Sequence, residues 1–157
     1  MDKTITFFGH REIFADDEVK ERLIGVLNEK VSKGYNNFLI GTHGEFDKIA
    51  LSSCLYIKRN INNKIKITIV LTSFSFLNKK SVVSCNLEFY KREGCKTIVY
   101  DIEEQHFKNR IIVSNKHMID DSDLIICYVN MDRYRSGAKR AVQYAIQQGK
   151  EIINLYR

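Results

Sequence analysis

Three short segments gather the residues able to do chemistry. They are Gly9-His10-Arg11, then Gly41-Thr42-His43-Gly44-Glu45-Phe46-Asp47, and last the run from Arg133 to Arg140. The first two hold two of the four histidines, a hydroxyl, an arginine and two carboxylates. Imidazole and carboxylate are the usual proton carriers near neutral pH. The third carries Arg133, Arg135, Ser136, Gly137, Lys139 and Arg140. Cations at a helix N-terminus oppose its dipole by about 0.3–1 kcal/mol each when exposed. A bound phosphate or other anion reverses the sign of that effect; a solvated basic face is the plainer alternative.

No established phosphate or catalytic motif accompanies these residues. The chain has no G-x-G-x-x-G, no G-x-x-x-x-G-K-[ST], no G-x-S-x-G and no H-E-x-x-H. His10 and His43 lack partners at metal-ligand spacing, and the cysteines at 54, 85, 95 and 127 form no C-x-x-C. No metal and no cofactor is therefore expected. Glu45 and Asp47 stand two residues apart at a helix start. Either could cap the helix, bind a ribose or act as a base, with capping the better account of Asp47.

The elements that must hold these segments alternate. Residues 4 to 8 and 37 to 40 form short apolar strands, stopped by Gly9 and Gly41, and residues 65 to 71 form a third. Further strands fall at 96 to 100, 124 to 129 and 151 to 155. Between them, Val19, Leu23, Val26, Leu27 and Val31 repeat at helical spacing, opened by Asp16, Asp17 and Glu18 and closed by Gly34. A second helix covers 45 to 59, a short one 87 to 92, a weakly patterned one 106 to 119. The last, 137 to 148, turns Ala138, Ala141, Val142, Ala145 and Ile146 inward. Gly34, Gly94 and Gly149 read as helix caps, and Gly25 as a close-packing site. Gly9, Gly41, Gly44 and Gly137 all lie where a strand hands over to a helix, the edge where ligands bind in an open parallel sheet. The pattern predicts one α/β domain over 1–157, a mostly parallel sheet with helices on both faces.

Composition narrows the function classes. The chain has 157 residues, 44% hydrophobic and 28% charged, with no proline. That excludes disorder, proline-rich linkers and collagen. Its longest apolar runs, about six residues, fall far short of the roughly 20 that span a bilayer, and no export segment is expected. Free buried thiols and a reducing, cytoplasmic setting follow from the cysteine usage. Between Arg133 and Lys150 five basic residues and no acid supply +5 of the net charge of +6. So local an excess favours a small anionic ligand over a broad nucleic-acid surface.

Taken together, the segments resemble a known superfamily. They are Phe7-Phe8-Gly9-His10-Arg11, Gly41-x-x-Gly44-x-Phe46-Asp47 and Asn115-Lys116-x-Met118-Ile119-Asp120-x-Ser122-Asp123. With them go Tyr128-Val129, Ser136-Gly137-Ala138, Tyr144-Ala145, Gly149-Lys150 and Ile152-Ile153-Asn154-Leu155. In order and spacing this set is similar to the SLOG superfamily, and to its small stand-alone members in Gram-positive bacteria and their phages. The resemblance implies a single Rossmann-like domain that binds nucleotides or their derivatives at its strand C-termini. It adds Asn115, Lys116, Tyr128 and Ala138 to the ligand-binding set. It also implies a homo-oligomer, and a link to anti-phage signalling, since some relatives sense ADP-ribose derivatives. Others are enzymes, such as the Lonely Guy phosphoribohydrolases, or bind single-stranded DNA.

One departure bears on activity. The Lonely Guy enzymes carry P-G-G-x-G-T-x-x-E, whose glutamate is catalytic. Here the corresponding turn is Arg135-Ser136-Gly137-Ala138-Lys139-Arg140-Ala141, without the proline, the first two glycines or the glutamate. The resulting expectation is sensing or sequestration of a nucleotide-derived small molecule. A nucleotide N-glycosidase using Glu45 as acid/base, with Arg11 or Lys116 on phosphate, is the second reading. Single-stranded DNA binding is the third.

Overall fold

The computed structural model describes residues 2–72, 82–100, 107–133 and 136–157. Its elements in chain order are β1 (Lys3–Gly9), α1 (Asp16–Ser32), β2 (Tyr35–Ile40), α2 (Glu45–Asn60), β3 (Lys66–Leu71) and α3 (Val82–Arg92). Then follow β4 (Lys96–Val99), α4 (Phe107–Asp120), β5 (Leu124–Tyr128), α5 (Gly137–Gln147) and β6 (Glu151–Asn154). The six strands form one sheet in the order β4-β3-β2-β1-β5-β6, and every pairing is parallel. This is the α/β domain with a parallel sheet that the alternation predicts, in the Rossmann-like form that the resemblance implies.

The topology decides where a site can be. From β1 the chain steps outward through β2 and β3 to β4; α4 then carries it back past β1, and β5 and β6 extend the other edge. The loops leaving β1 and β5 therefore diverge, and a crevice opens between the C-terminal ends of these two neighbours, the switch point where open sheets bind ligands. Gly9 pairs with Tyr128 at that end of the ladder.

Burial follows the two-residue period of the strands. Ile5, Phe7, Leu124 and Ile126 face α1 and α2, where Val19, Leu23, Leu27, Phe46, Ile49 and Ile57 cover them. Phe8, Ile125 and Cys127 face the other way, onto Met118 and Ile119 of α4 and Ala141, Val142 and Ala145 of α5. Each large apolar side chain so enclosed contributes about 1.5–3 kcal/mol. α1 has Ala15 at its N-cap and no side-chain cap bond, so Asp16, Asp17 and Glu18 in the first turn oppose the dipole's positive end alone.

Several expectations need correction. Ile146 does not turn inward: it is 58% exposed, one position past the buried stripe that ends at Ala145. Gly25 serves no close packing, since a Cβ there meets nothing within 4 Å. α3 begins at Val82, earlier than its apolar spacing suggested, and β2 begins at Tyr35. Gly34, Gly94 and Gly149 do take positive φ, as capping requires. Residues 73–81, 101–106 and 134–135 lie outside the described residues, and with them the expected ligand residue Arg135 and the loop expected from 73 onward. Cys54, Cys95 and Cys127 are free and buried. Among the described residues no helix is long and apolar enough to cross a membrane.

Among the glycines, the closest approach is at Gly9. A Cβ built there collides with Cγ of Phe46, which is itself fully buried. Gly9→Ala must push the ring of Phe46 off its seat, and is expected to lower unfolding free energy by about 1–3 kcal/mol in urea denaturation. A variant as stable as the parent would show that the ring moves freely.

Candidate functional site

The loops after β1 and β2 are locked together before any ligand arrives. The N–H of Glu45 donates to the carbonyl of Arg11 at 3.0 Å. In return Oε2 of Glu45 accepts the N–H of Ile13 at 2.8 Å. Gly44 lies so near Arg11 that a Cβ on it meets the Arg11 Cα at 2.7 Å, so only glycine allows the two loops to touch. The Glu45 carboxylate is thus spent on the backbone, and it does not reach the cleft described below. Glu45→Ala is expected to cost about 1.5–3 kcal/mol, the usual loss for a charged hydrogen bond. Hydrogen exchange at the Ile13 amide should accelerate in step, whereas Glu45→Gln, which keeps an acceptor, should change both little.

Between these loops and the start of α5 lies a cleft of about 440 Å³ at the C-terminal ends of β1 and β5. One wall is His10. Its backbone N–H donates to the carbonyl of Tyr128 at 3.2 Å, continuing the β1–β5 ladder. Its ring is buried, with Nε2 2.8 Å from the N–H of Asn130 and Nδ1 3.1 Å from Nη1 of Arg133. Tyr128 and Tyr156 present their rings edge-on to the imidazole at 6.4 and 6.3 Å. Burial, and then the Arg133 charge, hold His10 below its ordinary pKa, so the ring is neutral at physiological pH.

The opposite wall is the start of α2. Asp47 Oδ2 accepts the N–H of His43 at 2.7 Å, which ties the loop to the start of α2 but caps none of that helix's own N–H groups. Its carboxyl is nonetheless pushed up to about 6, because burial outweighs that hydrogen bond. His43 is likewise held low by burial and by Arg11, and its Nε2 is buried with no hydrogen-bond partner among the described residues. The floor is apolar: Phe8, Ile111 and Met118. The third wall is the first turn of α5. Ser136 caps the helix by accepting the N–H of Lys139 at 2.9 Å, and Gly137 and Ala138 follow it along the cleft. The leading N–H groups of a helix have no acceptor of their own.

Searched against protein-family models and against curated protein sequences, the chain matches none. The site therefore has to be read from its own atoms. A neutral imidazole, an arginine, an orphaned histidine nitrogen, a carboxyl titrating near neutrality and a helix N-terminus converge on one crevice with an apolar floor. Such a mixture suits a ligand with an anionic end and a flat, partly apolar end. Among the described residues no group of three or more His, Cys, Asp or Glu side chains could hold a metal ion.

The structure brings together Gly9, His10, Arg11, Gly41, His43, Asp47, Asn115, Arg133, Ser136, Gly137 and Ala138, all expected from sequence. It leaves others aside. Phe46 is in the core, stacked at 23° on Tyr128 with ring centroids 6.2 Å apart, and Tyr128 serves as the packing between Phe46 and His10. Thr42 is exposed and off the cleft. Lys116 lies on the outer face of α4, its ammonium 5.3 Å from the Tyr144 ring. Of the basic run, Lys139 Nζ is turned to the carbonyl of Arg133 and Lys150 Nζ to that of Asp120. Among the described residues only Arg133 of that run lines the cleft. Sequence reading missed Phe7, Phe8, Glu12, Ile111 and Met118 as cleft residues. Met118 carries a signal, since it stands one turn beyond Ser114 and Asn115 on the buried stripe of α4; Glu12 carries none.

The Asn115 to Asp123 segment otherwise does structural work. Asp123 donates its backbone N–H to Thr4 O at 2.8 Å and accepts the Thr4 N–H on its carboxylate at 2.9 Å. That pair sets the register of β5 on β1, and so the position of Tyr128 and of the loop that carries Arg133.

Proposed function

We propose that the protein binds a nucleotide-derived small molecule in the β1–β5 cleft, as a sensor or a sequestering protein of the SLOG type. The observation that carries this reading is the convergence at the switch point of groups left without a satisfying partner among the described residues. Among these residues the buried His43 Nε2 has no partner, and the Arg133 guanidinium lies against a histidine that has already accepted another bond. A buried polar atom left in that state costs free energy that a pairing ligand recovers, while the exposed Arg133 guanidinium is placed to meet an anion. The apolar floor of Phe8, Ile111 and Met118 suits the face of a base or ribose. Homo-oligomer formation and a role in anti-phage signalling belong to the same proposal, and rest on the sequence resemblance.

The decisive measurement is mass spectrometry of the small molecule released when purified protein is denatured, followed by calorimetric titration with AMP and ADP-ribose. A phosphate-bearing nucleoside is the expected product. An empty cleft that also ignores both compounds would count against the reading.

A second reading, nucleotide N-glycosidase, keeps one specific support. Asp47 lines the cleft and titrates at about 6, the range of an effective acid/base. Glu45 is withdrawn from that role because its carboxylate holds the Ile13 N–H. Release of free base from AMP, lost in Asp47→Asn and kept in Glu45→Gln, would establish the enzyme.

A further inference from the structure

His10 has a hydrogen-bonding conflict that the protein alone does not resolve. Both ring nitrogens face donors, the Asn130 N–H at 2.8 Å and the Arg133 guanidinium at 3.1 Å. A neutral imidazole has one lone pair and one N–H to offer, so it can accept from only one of the two. The Asn130 amide cannot turn away. It is part of a chain segment tied before it, by His10 N–H to Tyr128 O and by Val129 N–H to Asn154 Oδ1, and after it, by Arg133 N–H to Asn130 O. Arg133 is an exposed side chain on a flexible stem. Nε2 therefore accepts from Asn130, and Nδ1 carries the proton. That proton points at a guanidinium, which has no lone pair to receive it. With the imidazole only 7% exposed, bulk water is a poor substitute.

We propose that His10 Nδ1–H and Arg133 form a two-donor clamp for one anionic phosphoryl group of the ligand. The proposal rests on the nucleotide-binding reading and assigns the end of the ligand that this wall takes. The 3.1 Å gap admits no oxygen, but the exposed Arg133 side chain can turn aside, and an oxygen that both groups then reach replaces a donor–donor contact with two charge-assisted hydrogen bonds. The first turn of α5, Ser136 to Ala138, borders the same space and adds N–H donors behind it. A planar carboxylate offers two oxygens to this set, whereas a phosphoryl group offers three, spread toward imidazole, guanidinium and helix. The clamp also explains why one cation of the basic run points into the cleft while Lys139 and Lys150 are tied to carbonyls.

The test uses the intact, isotope-labelled chain, with the His10 ring nitrogens observed by NMR with and without inorganic phosphate. AMP is titrated by calorimetry into the parent, Arg133→Ala and His10→Leu. His10→Leu removes both ring nitrogens and leaves no donor, and urea denaturation of the same variant separates loss of the clamp from loss of the fold. We expect the Nδ1–H tautomer in the free protein and a shift of that resonance with inorganic phosphate, absent in Arg133→Ala. AMP should bind about ten- to a hundredfold more weakly to either variant, as for loss of a charge-assisted hydrogen bond. An Nε2–H tautomer, or a phosphate-insensitive Nδ1–H, overturns the clamp. If phosphate moves Nδ1–H while AMP does not bind, the clamp stands and the nucleotide reading falls. If AMP binds parent and variants alike, the nucleotide reading stands and the clamp falls.

Discussion

Phe46→Ala should unfold at about 3–5 kcal/mol less free energy than the parent, and lose the cleft as well as stability. The ring is fully buried and lies against Gly9, so close that no side chain fits between them. It stacks on Tyr128, whose own ring stands edge-on to His10. Truncation therefore opens a hole directly beneath the end of β1, and two rings above it lose their support. The surroundings cannot collapse to fill it cheaply, because β1 is held on both sides by β2 and β5. Phe46→Leu keeps most of the volume and should cost less than about 1.5 kcal/mol. Urea denaturation of the two variants gives the stabilities, and ADP-ribose titration gives the state of the cleft. The pair also separates two roles for Phe46. As a packing residue it tolerates leucine with binding kept; as a ligand contact it would lose binding with stability kept. Equal stability of parent and Phe46→Ala would refute the packing role outright.

The contrast between Phe46 and Asp47 shows what was legible in the sequence. Apolar residues repeating at periods of two and 3.6, with glycine and charge at the element ends, locate the six strands and five helices of the described residues, α3 only in its second half, because each element must bury one side. Glycine after β1 and β2 locates the ligand edge for the same kind of reason: at Gly9 and Gly44 another chain segment occupies the space of a Cβ. What spacing does not reveal is the direction of a side chain within a cluster. Gly44-Glu45-Phe46-Asp47 looks like one functional loop, yet the first turn of a helix points successive residues about 100° apart. Glu45 consequently turns to the Ile13 N–H, Phe46 into the core, and only Asp47 toward the cleft. The basic run misleads similarly. Its charge is local in sequence, but Lys139 and Lys150 are satisfied by carbonyls and Arg133 alone lines the cleft among the described residues. The conflict at His10 was beyond reach, since it depends on Asn130, a residue with no distinguishing signal of its own.

Asp47→Asn should make the protein more stable at neutral pH, and remove most of the pH dependence of its stability between about 4 and 6. In the folded chain burial raises the carboxyl from 3.8 to about 6, overriding the hydrogen bond from His43 N–H. The unfolded chain keeps the ordinary value. Between those two values the native state therefore binds more protons than the unfolded state, and stability falls as pH rises. The penalty is absent below the ordinary value, grows through the interval and is complete above about 6. At about 1.4 kcal/mol per pH unit, the full effect is on the order of 3 kcal/mol. Asparagine keeps the shape and an oxygen for the His43 N–H but never ionises, so the variant should match the parent near pH 4 and exceed it by about 2–3 kcal/mol near pH 7.5. Urea denaturation of both proteins across that range reads the difference directly, and parallel profiles would mean that Asp47 is not the titrating group. A carboxylate retained at such a cost, lining the same cleft as His10 and Arg133, needs a return in function. A ribose hydroxyl or a base N–H would supply it, by donating to the ionised oxygen that the protein itself leaves poorly solvated. ADP-ribose should accordingly bind Asp47→Asn at least about tenfold more weakly, the loss of one hydrogen bond to a charged group. Stability and affinity would then move in opposite directions in a single isosteric variant, which a merely structural carboxylate cannot produce.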